Sequence, residues 1–261
     1  MQEESSRLID EALFEEPIKN TFRLSWEFIV LNKNFTLTAM SMLLLLNILS
    51  AFLGVLAMVL SGILSMAIQI YIARLVYETQ NIETFVAEVK KSKLEKILSN
   101  NIFIATGAYL GTIVLLLAFI TLFVLFIQGM GIDLETMDMA KLMEVVQVFI
   151  LPMMIFLLLL SYLHPLVQSN IALAKDFKEG YRAVFTLFTP TLWKQAFQRH
   201  YFKYVALLIL IIVLGAFLLG LIISLPVINL VANFMVIIGM YLYMVLISIA
   251  SMIARRVTEI C

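Results

Sequence analysis

Six apolar stretches, each about as long as the hydrocarbon core of a bilayer is thick, leave this chain very few folds to choose from. They run Phe35 to Gly54, Val55 to Tyr77, Phe103 to Gln128, Val145 to Val167, Phe202 to Ser224 and Val227 to Ala254. Crossing about 30 Å of hydrocarbon takes about 20 residues of helix, and only a helix satisfies every backbone polar group within one such segment. Composition agrees: 62% of the 261 residues are hydrophobic and 14% charged, with a mean hydropathy of +1.02, far outside the range of soluble domains. The expected fold class is all-α, a polytopic membrane protein whose six transmembrane helices form three hairpins, each preceded by an amphipathic interfacial helix. Gly54 and the Ser224-Leu225-Pro226 turn leave almost no loop in the first and third pairs, so both are expected to be tight hairpins.

Orientation follows from charge, because short cytoplasmic segments retain Lys and Arg during insertion. Arg7, Lys19, Arg23 and Lys33 precede the first helix, and Arg74, Lys90, Lys91, Lys93 and Lys96 lie between the second and third. Lys175, Lys178, Arg182, Lys194, Arg199 and Lys203 lie between the fourth and fifth, while Arg255 and Arg256 follow the sixth. Lys141 alone falls on the other side, in an outer loop over 129–144 that also carries Asp133, Glu135, Asp138 and Glu144. Both termini are therefore expected in the cytoplasm. The first 34 residues are polar and acidic rather than a basic stub with a short apolar core, so no cleavable signal is expected. The single cysteine, Cys261, excludes an internal disulfide and a thiolate metal cluster.

Residues 1–16 read as an acidic cytoplasmic appendage, in which Ser5 or Ser6 would cap a short helix bearing Leu8, Ile9, Ala12 and Leu13 on one face. Residues 17–261 read as one transmembrane domain with pseudo-repeats over about 17–78, 79–174 and 175–261. Trp26 aligns with Trp193 and Phe35 with Phe202 at one offset; Leu94, Asn100-Asn101 and Phe103 fit the same frame. Ala73-Arg74 closes the first hairpin as Ala254-Arg255 closes the last. Each unit opens with an amphipathic segment: Ile18, Phe22, Trp26 and Ile29 in the first, Ile82, Phe85, Val86 and Val89 in the second. Val184, Phe185, Phe188, Trp193, Ala196 and Phe197 mark the third. Such segments lie in the interface with their apolar stripe toward the acyl chains and their cations at headgroup level. Lys90, Lys91, Lys93, Lys96, Lys194, Arg199, Arg255 and Arg256 are the candidate contacts for anionic lipid headgroups; simple topological anchoring would use the same residues.

No Asp, Glu, Lys or Arg lies at mid-depth in any stretch; Arg74 and Lys203 are near ends and are expected to snorkel. Ion-coupled transporters place ionisable groups there, which counts against secondary active transport. The polar residues that remain are Asn47, Gln69, Gln147, His164, Asn229 and Asn233, candidates for helix-to-helix hydrogen bonds or for a weakly polar path. His164 stands beside Pro165, whose ring frees a backbone carbonyl one turn earlier, but one imidazole makes neither a metal site nor a catalytic one. His200 reads as an interfacial residue. Gly107 and Gly111, the ridge Ala57, Ser61 and Ser65, and the pair Ala216 and Gly220 mark close helix contacts, within the bundle or in a homodimer. No phosphate loop, nucleophile elbow, zinc-protease helix or dinucleotide fingerprint occurs, so no enzyme, metal or cofactor is expected, and no nucleic-acid partner.

The run from Pro165 through Lys203, a helix ending at a proline, then a segment around Phe177 to Phe188, then Trp193 leading into a hairpin, resembles one bacterial inner-membrane superfamily. That superfamily comprises six-helix proteins similar to the membrane domain of glycerophosphoryl diester phosphodiesterases. The resemblance implies a lipid-facing accessory module in a bacterial inner membrane; the chain has no phosphodiesterase catalytic domain, so that activity is not implied. The expected function is a non-enzymatic accessory or scaffold protein that engages anionic membrane lipid or a protein partner through its basic face. The alternative is a permease or lipid-handling protein with a path lined by Asn47, Gln147, Asn229 and Asn233.

Overall fold

The computed structural model describes residues 16–79, 81–99, 101–129, 139–223 and 229–259. The appendage over 1–15, the outer loop over 130–138 and the turn at 224–228 lie outside the described residues, as does Cys261. The described residues form helices with no strand: α1 Pro17–Leu31, α2 Lys33–Leu53, α3 Val55–Glu78, α4 Ile82–Lys91, α5 Glu95–Leu98 and α6 Asn101–Gly129. They continue as α7 Met139–Ala172, α8 Phe177–Val184, a 3-10 turn Phe185–Phe188, α9 Pro190–Ala196, α10 Arg199–Ile223 and α11 Asn229–Glu259. Six of these, α2, α3, α6, α7, α10 and α11, are long and apolar enough to cross a membrane. The chain is an all-α multi-pass membrane protein, and short helices precede each hairpin in turn.

Gly54 reverses the chain between α2 and α3 in a single residue, at φ +52° and ψ −126°. A side chain strains in that region, whereas glycine enters it freely. The stacking of Phe35 on Tyr71, with ring centroids 5.8 Å apart, shows the antiparallel course of the hairpin.

Burial divides the molecule into two tiers. At the basic end, α3 from Leu64 to Val76, α7 from Leu163 to Ala172 and α11 from Tyr241 to Val257 supply most of one continuous core. Beyond it the helices open. Val114, Leu116, Leu117, Ile120, Leu122, Phe123, Leu125 and Phe126 on α6 are exposed, and so are Ile150, Leu151, Met153, Met154, Ile155, Leu157, Leu158 and Leu159 on α7. These positions go all the way round each helix, so in the outer tier α6 and α7 hold chiefly each other, through edge-to-face pairs such as Phe119 with Phe156 and Phe123 with Phe149. Helix α11 is the axis of the core: 61% of its membrane-length window is buried, against 11% for α6.

Two expectations change here. The fourth span does not stop where hydropathy does: α7 continues through Pro165 to Ala172 and is 34 residues, about 51 Å, long. Tyr201 makes this feasible. Its hydroxyl donates to the Tyr162 carbonyl at 2.5 Å and takes a hydrogen bond from the Leu166 backbone, inserting itself into the ladder at the proline. The third amphipathic segment, in turn, does not lie flat as a whole. Helix α8 runs alongside α6 so closely that a Cβ on Gly107 would strike the Phe177 carbonyl, one on Gly111 would lie 2.9 Å from the Tyr181 carbonyl, and one on Gly180 would lie 2.5 Å from the Ile104 carbonyl. The Gly107/Gly111 pair therefore serves neither another span nor a second copy but a short polar helix. Lys178, Glu179 and Arg182 are exposed on α8, beside the first turns of α6. The rest of α6, Thr112 to Gly129, is about 27 Å long and matches the hydrocarbon thickness.

Candidate functional site

The basic end is where polar side chains converge, and an arginine organises it. Arg74 does not snorkel. Its Nε donates to the Ala172 carbonyl at 2.7 Å, its Nη2 to the Ala174 carbonyl, and its Nη1 to Asn101 Oδ1 at 3.0 Å. One guanidinium thus closes the end of α7, whose last carbonyls have no partner within the helix, and ties it to the start of α6. Arg255, from the matching position of the last hairpin, reaches the same helix: its Nη1 donates to Asn170 Oδ1 at 3.0 Å, while Asn170 Nδ2 donates to Thr186 Oγ1 at 3.1 Å. Ile72-Ala73, Ile171-Ala172 and Ile253-Ala254 are all buried at corresponding hairpin ends. The Ile171-Ala172 member of that set carries no arginine; it receives them from the other two.

Sequence reasoning passed over a second convergence. Asn32, 7% exposed, accepts from the Phe35 amide at 3.0 Å and donates through Nδ2 to the Val89 and Ser92 carbonyls, each at 2.7 Å. It starts α2 and finishes α4 with one side chain, and Tyr71 adds a bond to Ser92 Oγ at 2.7 Å. Asparagine's preference for helix N-caps was the available signal.

The amphipathic helices use their apolar faces largely against protein. On α1, Thr21, Leu24, Ser25 and Phe28 are buried, and Thr21 Oγ1 lies 2.8 Å from the Tyr204 hydroxyl. Of the stripe expected to face the acyl chains, Phe22 and Trp26 are exposed, whereas Ile18 and Ile29 pack against the protein core. Phe85 and Val89 of α4 are fully buried, as is Ile97 of α5. The repeat-related phenylalanines differ also: Phe35 is buried, whereas Phe103 and Phe202 face outward.

The eight candidate headgroup contacts separate into two groups. Lys90, Lys93, Lys96, Lys194 and Arg199 are exposed, and their side chains make no hydrogen bond or ion pair among the described residues. Lys91 lies 3.5 Å from Glu88, and Arg255 and Arg256 both pair with Glu259, at 3.1 and 2.9 Å. Of the intramembrane polar residues, the four whose side chains are described make no hydrogen bond with one another. Asn47 and Gln147 are exposed on the outside of their helices; Gln69 and His164 are half-buried and make no hydrogen bond among the described residues. The side chains of Asn229 and Asn233 lie outside the described residues. His200 is exposed at the start of α10. Ala57 is fully buried, whereas Gly220, partner of Ala216 in the proposed ridge, has open space around it. Among the described residues no three His, Cys, Asp or Glu side chains are grouped to hold a metal ion.

What this arrangement offers chemically is a set of cations open to an anion: exposed guanidinium and ammonium groups stand on a framework tied by half-buried arginine and buried asparagine bonds. No protein-family model, curated protein or solved structure matches the chain.

Proposed function

We propose that the chain is a non-enzymatic accessory or scaffold protein of a bacterial inner membrane, with both termini in the cytoplasm, acting through its basic end on anionic lipid or a protein partner. The observation that carries this reading is the set of five exposed cations without protein counter-charges, mounted on the one part of the molecule that is tightly packed. A scaffold needs rigidity where it binds, and the arginine ties of α3 and α11 to α7 supply it. The positive-inside distribution supports the cytoplasmic assignment of that end. A solute path finds less support, since Asn47 and Gln147 point away from the bundle interior.

Native mass spectrometry of the protein extracted gently from its own membrane tests the reading. Retention of anionic phospholipid or of a stoichiometric protein is expected. A bare protein that shows neither, together with solute flux through reconstituted vesicles that Asn47→Leu abolishes, would replace the scaffold by a permease.

A further inference from the structure

The three pre-hairpin segments are chemically unequal, and the inequality locates a lipid site. A site for an anionic phospholipid in a leaflet needs cations left uncompensated by protein carboxylates and, beside them, apolar side chains free to enter the acyl region. Helix α1 has the second feature without the first: Trp26 is 66% exposed, but Lys19 pairs with Glu16 at 2.8 Å and Arg23 with Glu27 at 3.0 Å. Helices α4 and α5 have the reverse defect. Lys90, Lys93 and Lys96 make no ion pair, but among the described side chains this stretch contributes no large hydrophobic residue to the exposed surface. Its apolar side chains are spent on Phe85, Val89 and Ile97 in the core.

The corner between α9 and α10 combines both. Lys194, Arg199 and Lys203 are exposed, and no Asp or Glu occurs in the sequence from Gly180 to Thr258. Phe197 is 76% and Phe202 59% exposed in the same eleven-residue run from Trp193 to Lys203. Arg199 and Lys203 are four residues apart on α10 and share a face, with Phe202 beside them. The corner is also held at a defined depth. Tyr162 donates to the Ala196 carbonyl and Tyr201 to the Tyr162 carbonyl, at the level where α7 passes from its exposed outer tier to its buried one.

The geometry points to this corner as the binding site for the phosphodiester headgroup of an anionic phospholipid, with Lys194, Arg199 and Lys203 around the phosphate and Phe197 and Phe202 among the acyl chains. The lysines of α4 and α5 take no part. This inference rests on the proposed lipid-engaging function and narrows it from the whole basic face to one repeat.

The test compares two variants of the full chain in detergent, titrated with phosphatidylglycerol or phosphatidylcholine and read by native mass spectrometry. One is Lys194→Gln/Arg199→Gln/Lys203→Gln, the other Lys90→Gln/Lys93→Gln/Lys96→Gln. The corner variant is expected to lose phosphatidylglycerol affinity roughly 10- to 100-fold, and the α4–α5 variant to stay within about twofold of the unsubstituted protein. All six positions are exposed, so both variants should fold; a third, Phe197→Ser, should weaken retention of the lipid with every cation in place. Unchanged binding by the corner variant, or loss confined to the α4–α5 variant, overturns the site while leaving the lipid-engaging function standing. An unsubstituted protein that does not distinguish phosphatidylglycerol from phosphatidylcholine overturns both.

Discussion

Replacing Arg74 by Gln should be among the most damaging single changes available to this protein. The guanidinium makes three hydrogen bonds, to the Ala172 and Ala174 carbonyls and to Asn101 Oδ1. A hydrogen bond to a charged group contributes about 1.5–3 kcal/mol. The site is half-buried, so the lower figure applies, and the Asn101 amide can turn toward water when its partner goes. Two bonds at about 1.5 kcal/mol leave a loss of about 3 kcal/mol. For a chain of this size each kcal/mol moves the melting temperature by about 2–4 °C, so the shift should be about 6–12 °C. Lysine keeps the charge but replaces a planar fork by one ammonium, and should recover no more than half of it. The assay is thermal unfolding of the detergent-solubilised protein, followed by loss of the monodisperse peak on size exclusion. A melting temperature for Arg74→Gln within about 2 °C of the unsubstituted protein would refute the idea that this residue ties α3, α6 and α7 together, since surface changes alone stay in that range.

Tyr201→Phe removes the hydroxyl that bridges the Leu166 amide and the Tyr162 carbonyl beside Pro165 and should destabilise by about 1–3 kcal/mol in the same melting assay. Gly107→Ala and Gly180→Ala each put a methyl into the opposing backbone and should cost about 1–3 kcal/mol in the same melting assay, while Gly220→Ala, with nothing near it, should be neutral. Asn32→Ala opens two helix ends together and should lower stability by about 2 kcal/mol, readable also as faster amide exchange at Phe35.

The hydrophobic stretches made the six long helices legible, since bilayer thickness acts on length and composition alone. Gly54 was equally legible, because a turn without a loop leaves glycine as the obvious choice. The error at α7 came from a local rule: proline predicts an end, but Tyr201, 36 residues further on, supplies a hydroxyl that lets the helix continue. The faces of the amphipathic helices were misjudged for a related reason. Periodicity shows which residues share a stripe but not whether lipid or protein lies opposite, and on α1 the two apolar surfaces adjoin, with Phe28 inward and Trp26 outward. Arg74 looked like a snorkelling residue because position near a helix end was all the sequence displayed; its partners come from α6, α7 and the loop beyond α7. The candidate headgroup cations were visible as charges, but which of them lacked counter-ions was a property of the assembled surface.

The central place of α11 has a consequence for biosynthesis. The first hairpin, α1 and α7 all pack on a helix that leaves the ribosome after the other five spans, so none of those faces can be covered while they are being inserted. The earlier helices can make their own contacts, such as those of Arg74 with α6 and α7, but the surfaces that meet α11 stay open until it arrives. Its small inner residues, Ser248, Ala250, Ser251 and Ala254, suit a helix that enters last into a space already outlined by others. A chain stalled before α11 would leave the inner faces of α3 and α7, which share one core with it, without that partner.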